Sequence, residues 1–272
     1  MEMMFAMGLR TTFTQLWDSV LQVPWLIIRA VVVNYLIIPG MTLLLLLFFH
    51  TSPMAATGLL ILAVCPAAPY GPPFTAIARG NLNLSVGLMV LLAGTSAFMA
   101  PLLLHLMLPA VTSDCHFIRI DAVKMIGSLF LIQLLPICLG LALSQWKTRI
   151  AEKLMKPASQ ISIILNLLMI VFICWLQLPL LADMHLSGVI PMVLLLGATI
   201  LTGWLFGWPG DENRKALSII TALRNMSLGM VIVTGSFPGT HAVNTVLMYA
   251  FVAGFGLFLM ALSWRIMGNK SV

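Results

Sequence analysis

Apolar runs of about twenty residues, separated by short polar punctuation, set the pattern of this chain. Val23 to Phe49, Leu82 to Leu108, Ala122 to Leu143, Pro157 to Leu181, Gly188 to Trp208, Ala216 to Gly235 and Ala242 to Ile266 each read as one helix. About 20 residues at 1.5 Å rise cross the ~30 Å hydrocarbon core of a bilayer. An eighth run, Met54 to Ala78, has the length but not the continuity. The short piece Met1 to Leu9 cannot span; it reads as the last two turns of a helix whose start is not in the chain, with an interfacial helix as the alternative. The runs are continuous rather than alternating, so a β-barrel is excluded. The fold class expected is an all-α polytopic membrane protein with eight complete spans and a partial first one.

Two runs are interrupted. Cys65 to Pro73 contains Pro66, Pro69, Pro72, Pro73 and Gly71, yet apolar residues resume at Phe74. Each interior proline removes a backbone hydrogen bond and clashes with the turn before it, at about 3 kcal/mol or more. The segment therefore reads as two half-helices meeting in mid-membrane, with a pair of re-entrant pieces as the alternative. The second interruption is Thr221 to Ser227, which puts Arg224 in the middle of an otherwise apolar run. An arginine at the bilayer centre costs about 2.5–3.5 kcal/mol on insertion scales, so it needs a partner, a wet cavity or a ligand. Each interruption lies one span before the end of its half. Breaks at matching places in two halves point to a transporter site at the midplane.

Composition agrees. The 272 residues are 61% hydrophobic and 8% charged, against about 25% charged in soluble domains. The net charge of +6 sits mainly in loops, which speaks for membrane orientation rather than nucleic acid. Lys147, Arg149, Lys153 and Lys156, in a loop from Gln145 to Lys156, share one side with Arg10, Arg79, Arg214, Lys215, Arg265 and Lys270; the other side has Arg119, Asp114, Asp121, Asp183 and His185. The positive-inside rule then puts both chain ends in the cytoplasm, in a bacterial inner membrane. The four cysteines show no metal or redox spacing. No paired aspartates, His-Glu motif or Ser-His arrangement argues for an enzyme, and no cofactor is implied.

Met4 to Leu9, Asn34 five residues before Pro39, and Cys65-Pro66 leading to Ala78-Arg79-Gly80-Asn81 and Ser85 resemble the bile acid:sodium symporter family in order and spacing. The resemblance implies ten helices in two inverted five-helix repeats, with two crossing broken helices in a core domain and a separate panel. On this chain it places an incomplete first repeat at 1–108, lacking its N-terminal helix, a connecting loop at 109–121 and the second repeat at 122–272. It also implies where sodium ligands would lie. The family's Ser-Asn pair falls on Gly71 and Pro72, a hydroxyl on Met89, the acidic residue on Thr221 and the following glutamine on Asn225, while Ser85 is kept. With the carboxylate and most oxygens replaced, sodium coupling is not expected to survive intact; coupling to a proton, or none, takes its place.

The expected function is secondary transport of a small organic anion by alternating access; a non-transporting or truncated inactive relative is the alternative. Arg224 would stand in for the ion's charge. It would either pair with the substrate or hold the crossing together by donating to freed carbonyls. Half-helix N-termini would add positive potential toward the anion. Asn225 and Ser227 line the cavity or cap half-helices, Tyr70 gates or packs, and Asn34 lines the site or joins helices. The substrate set is therefore Arg224, Asn225, Ser227, Tyr70, Gly71 and Asn34, and the weaker ion set is Ser85, Thr221 and Asn225. Ser85 has the alternative of bonding its own backbone. Asn166 and Gln177 read as interhelical hydrogen-bonding residues.

Overall fold

The computed structural model describes residues 2–12, 24–111, 127, 130–182, 186–237 and 239–268. Most of the connecting loop at 109–121, together with Asp183 and His185, lies outside them, as do the side chains of Arg10, Asn166 and Gln177. All regular structure among the described residues is helical. Among the described residues, five helical runs are long and apolar enough to cross a membrane: Pro24–Phe48, Leu82–Ala110, Val189–Phe206, Asp211–Ser236 and His241–Met267.

The short N-terminal piece forms α1, Glu2–Arg10. The first full run is α2, Pro24–Val32, a π-helical turn over Val33–Ile37, and α3, Ile38–Phe48. The cause of the π turn is in the sequence. Pro39 has no N–H for the Tyr35 carbonyl, and a wider turn just upstream, where the Ile38 N–H reaches back to Val33, absorbs the mismatch. Asn34 sits in that turn.

The Pro-rich run becomes α4, Pro53–Val64, and α5, Gly71–Ile77. The long helix α6 follows, Leu82–Met107, its first turn capped by the Asn81 side chain on the Leu84 N–H at 3.1 Å. Then come α7, Leu135–Trp146, α8, Thr148–Ala182, and α9, Leu186–Phe206. The second interrupted run is α10, Asp211–Ala222, and α11, Met226–Ser236. The last helix is α12, His241–Gly268.

Two boundaries differ from expectation. The basic stretch Gln145 to Lys156 is not a loop. Trp146 ends α7, Lys147 turns the chain, and α8 begins at Thr148, nine residues before Pro157. Ala151, Glu152, Lys153, Leu154, Met155 and Lys156 are all good helix formers, so charge there marks an exposed helical turn. Likewise the charged stretch after Gly210 is the first turn of α10, where Asp211 and Glu212 complement the positive end of the helix.

The arms containing the breaks are innermost. Asp211–Ser236 is 78% buried over its apolar window, against 39% for Pro24–Phe48 and 33% for His241–Met267. Every residue of α4 from Ala56 to Val64 is buried. The exterior carries Leu36, Leu44, Phe48, Trp175 and Phe255, the surface a lipid-facing protein presents. Glycines set two of the closest helix approaches. A Cβ on Gly8 of α1 would stand 2.4 Å from the Ile137 carbonyl and 2.8 Å from Gly140 of α7, so only glycine lets these backbones touch. A Cβ on Gly203 of α9 would stand 2.4 Å from Ser218 Cα on α10.

The far ends of the two interrupted arms are also tied. The Asn81 N–H donates to the Glu212 carbonyl at 3.0 Å, and Asn81 Nδ2 donates to Asn213 Oδ1 at 2.9 Å. Asn213 Nδ2 in turn donates to the Pro209 carbonyl at 2.7 Å.

Candidate functional site at the crossing of two broken helices

The two breaks meet. The Ala68 N–H donates to the Leu223 carbonyl at 3.0 Å, and the Asn225 N–H donates to the Cys65 carbonyl at 2.8 Å. Each break thus supplies the other with a donor and an acceptor, as buried backbone away from water requires. The first break follows from its prolines. Pro66 drives Cys65 out of the helical region, to φ −107° and ψ 75°. Ala67 then adopts φ +62°, a left-handed conformation costing an L-residue about 1–2 kcal/mol. The second break has no proline. Leu223 is extended, and Asn225 restarts the helix by capping the Leu228 N–H at 3.1 Å.

Arg224 lies inside this crossing, 5% exposed. Its Nε donates to the Leu62 carbonyl at 3.1 Å, and its Nη1 to Asn34 Oδ1 at 2.8 Å and to the Thr221 carbonyl at 3.0 Å. Its Nη2 donates to the Ala63 carbonyl. Leu62 and Ala63 lie in the last turn of α4, and Thr221 in the last turn of α10. The guanidinium therefore sits on the negative ends of two helix dipoles, each worth about half an elementary charge. Asn34 is oriented for its part: its Nδ2 donates to the Ala30 carbonyl at 2.9 Å and to Thr221 Oγ1 at 3.3 Å, turning Oδ1 toward the arginine. Of the two roles the sequence offers Arg224, this geometry fits the one in which it donates to freed carbonyls.

The remaining residues divide. Asn34, Thr221 and Arg224 form one hydrogen-bonded group. Ser85 belongs to another: its hydroxyl pairs with Thr75 Oγ1 at 2.9 Å, and Thr75 donates to the Gly71 carbonyl at 2.9 Å. Over Gly71 stands Ile220, whose Cδ1 lies 2.3 Å from where a Cβ would be, with Ser85 Oγ at 4.0 Å from the same point. An apolar methyl fills the space that any side chain at position 71 would enter. Met89 is buried nearby in the wall of a cavity of about 320 Å³ formed by residues of α1, α5 and α6 with Thr11. That cavity is lined by apolar side chains apart from Thr11, and it touches Pro72 and Pro73 at the start of α5.

Anion-binding capacity at the two half-helix N-termini is unequal. At α5 the Gly71 N–H is taken by the Ala68 carbonyl and the Phe74 N–H by the Tyr70 carbonyl, while Pro72 and Pro73 have no N–H. The first turn of α5 offers an anion no free donor. At α11 the Met226 and Ser227 N–H groups have no partner within the helix. Ser227 is exposed, and the fully buried Asn225 keeps its Nδ2 without a partner. Tyr70 also has a buried hydroxyl without a partner, as does Tyr249 on α12.

Several contributors are not legible as side-chain motifs. The carbonyls of Leu62 and Ala63 have no sequence signature of their own, although Pro66 removes the N–H that would otherwise bond Leu62 four residues earlier. Thr75, Ile220 and Tyr249 read as ordinary core residues in apolar helices. Among the described residues no cluster of three His, Cys, Asp or Glu could hold a metal ion.

Buried broken helices joined backbone to backbone, with a charged side chain at the junction, define the class as a polytopic all-helical membrane protein. The chain belongs to the Sodium Bile acid symporter family, whose profile matches residues 1–184. It is 23% identical over 266 residues to the probable sodium/metabolite cotransporter BASS2, chloroplastic, of Oryza sativa subsp. japonica, covering 97% of this chain and 62% of the relative. It is 22% identical over 267 residues to a sodium-dependent organic anion transporter of Bos taurus, covering 95% and 67%. It is 23% identical over 246 residues to the uncharacterized sodium-dependent transporter YocS of Bacillus subtilis, covering 88% and 74%. The chain spans 62% of the rice relative's length and 57% of the length of a chloroplastic BASS1 relative from Arabidopsis thaliana.

Proposed function

We propose that the protein is a secondary transporter of a small organic anion, working by alternating access without a dissociable sodium ion. The observation that carries this reading is the asymmetry at the crossing. Two half-helix C-termini are occupied by Arg224, and one half-helix N-terminus, that of α11, keeps free donors. The substrate's carboxylate is received by the Met226 and Ser227 N–H groups, the Ser227 hydroxyl and the Asn225 amide. A separate apolar cavity of about 320 Å³ against α1, α5 and α6 lies at the small end of ligand pockets. Arg224 acts as a positioning residue behind the α11 donors, and Tyr70 and Gly71 line the turn opposite.

The sodium ligands expected from the family resemblance are otherwise engaged. Thr221 and Ser85 hold other protein groups, and Ile220 covers Gly71. The matched placing of the breaks supports two inverted repeats, 1–108 and 122–272, joined through 109–121. The basic residues support cytoplasmic chain ends in a bacterial inner membrane.

Uptake of labelled carboxylates into proteoliposomes tests the reading, with sodium or potassium as the only alkali cation. Equal uptake in both media, lost in Asn225→Ala, is the expected result. Uptake that requires sodium would overturn the ion-free mechanism. Absence of uptake for any organic anion would overturn the transporter reading.

A further inference from the structure

We infer that the lipid-facing seam between α2 and α9 binds the headgroup of an anionic phospholipid, with Arg29 taking its phosphate. Arg29 lies about 7.5 Å along the axis from the start of α2 at Pro24, the depth at which a spanning helix passes from headgroups into hydrocarbon. Its helix neighbours Leu26 and Ala30 are buried, and Arg29 stands half-buried at the edge of their face. Its Nη1 reaches across to the end of α9 and donates to the Trp208 carbonyl at 2.6 Å. Among the described residues this is its one hydrogen bond, and no carboxylate pairs with it. A guanidinium has five N–H donors, so four remain. They sit, with a full positive charge, at a level where the surroundings are lipid.

Those surroundings match both halves of a phospholipid. Trp25, one turn before Arg29 on α2, is 74% exposed, and Trp208, whose carbonyl Arg29 holds, is 57% exposed. Exposed indoles beside a cation suit the headgroup layer, where an aromatic ring and a polar N–H both find partners. Away from that end both helices turn apolar and stay exposed. Val32 and Leu36 follow Arg29 on α2, and Leu205 and Leu201 precede Trp208 on α9. They offer the acyl chains a surface. The neighbouring Arg214 is already engaged: its guanidinium lies 5.5 Å over the Trp204 ring and 3.6 Å from Asp211. The last helix ends at the same level, its Trp264 ring 5.3 Å from Trp204, and carries the exposed Arg265. A phosphate diester offers the Arg29 fork two oxygens. A choline headgroup brings its own cation and cancels the gain, so the lipid selected is an anionic one such as phosphatidylglycerol.

The test uses the full chain, purified in detergent and stripped of lipid, then given phosphatidylglycerol and phosphatidylcholine of identical acyl chains in equal amounts. Mass spectrometry of the intact complex counts the lipid retained. Wild type is expected to prefer phosphatidylglycerol by about fivefold, the factor one basic residue contributes near an anionic surface. Arg29→Gln should abolish the preference, and Arg265→Gln, which removes an exposed cation from the same end, should leave it. Equal retention of the two lipids by wild type would overturn the inference. Equal losses in the two variants would overturn it as well, reducing the preference to net charge. Soluble glycerol 1-phosphate in excess should not compete; competition would make the ligand a free anion and sink the lipid site. If Arg29→Gln does not fold, the two exposed indoles decide. Trp25→Ala combined with Trp208→Ala must lower the preference, and an unchanged preference would refute the headgroup site.

Discussion

The first break, Cys65 to Tyr70, and the second, Leu223 to Asn225, accomplish the same thing with opposite chemistry. The first removes donors. Prolines at 66 and 69 cannot bond backward, and Ala67 accepts a left-handed conformation to turn the chain. The second adds donors. Arg224 supplies four hydrogen bonds, three of them to main-chain carbonyls, and Asn225 caps α11 while keeping an N–H free. Main-chain bonds run both ways between the breaks, and Arg224 adds side-chain donors to carbonyls of both arms. The lesson is that neither break is stable alone in a membrane, where an unpaired backbone group costs several kcal/mol.

The sharpest way to break this complementarity is Arg224→Met. It preserves bulk and removes every donor, leaving the Ala63 and Thr221 carbonyls and Asn34 Oδ1 short of a partner at roughly 1–3 kcal/mol each, while the Leu62 carbonyl keeps the Cys65 N–H. A loss of about 4 kcal/mol or more is expected in reversible unfolding, provided the variant still inserts. Gly71→Ala comes next. Its Cβ must displace the Ile220 tip, and overpacking of this kind costs about 1–3 kcal/mol. Because the obstacle is the end of a flexible side chain, Ile220→Ala in the same molecule should recover most of the loss. A double-mutant cycle without coupling would mean that the two residues do not meet.

Asn225→Ala removes a helix cap, at about 1 kcal/mol. Its effect on anion uptake should exceed its effect on stability, since the free amide goes with the cap; equal fractional losses would reduce Asn225 to a structural role. The smallest change runs the other way. Ala67→Gly relieves the left-handed strain and is expected to gain up to about 1 kcal/mol, partly offset by the entropy of a more flexible unfolded chain. A lower Tm would show that the first break depends on a stiff turn rather than a relaxed one.

The legible part of this architecture is the part governed by what residues lack. Proline without an N–H announces the first break. Asn34 five residues before Pro39 falls in the resulting π turn, and Arg224 stands out because lipid cannot hold it. The site's acceptors were much less legible, because carbonyls look alike in every residue. Leu62 and Ala63 become ligands only through the arm that crosses them. The closure of α5 to anions was readable in principle, since Pro72 and Pro73 state it outright, yet general half-helix electrostatics suggested equal N-termini. The basic stretch before Pro157 misled for another reason: charge reports exposure, and an exposed segment can be helical.

The contact of Asn81 with Glu212 and Asn213 has a mechanical meaning. Two rods pinned only where they cross are scissors, free to change their angle. Pinned again at one end, they become a truss. The arms α4–α5 and α10–α11 carry both pins, so their angle is fixed and the pair can tilt only as a unit. The glycine-lined seam of α1 and α7, where two backbones lie in contact, is a second rigid joint in the fold.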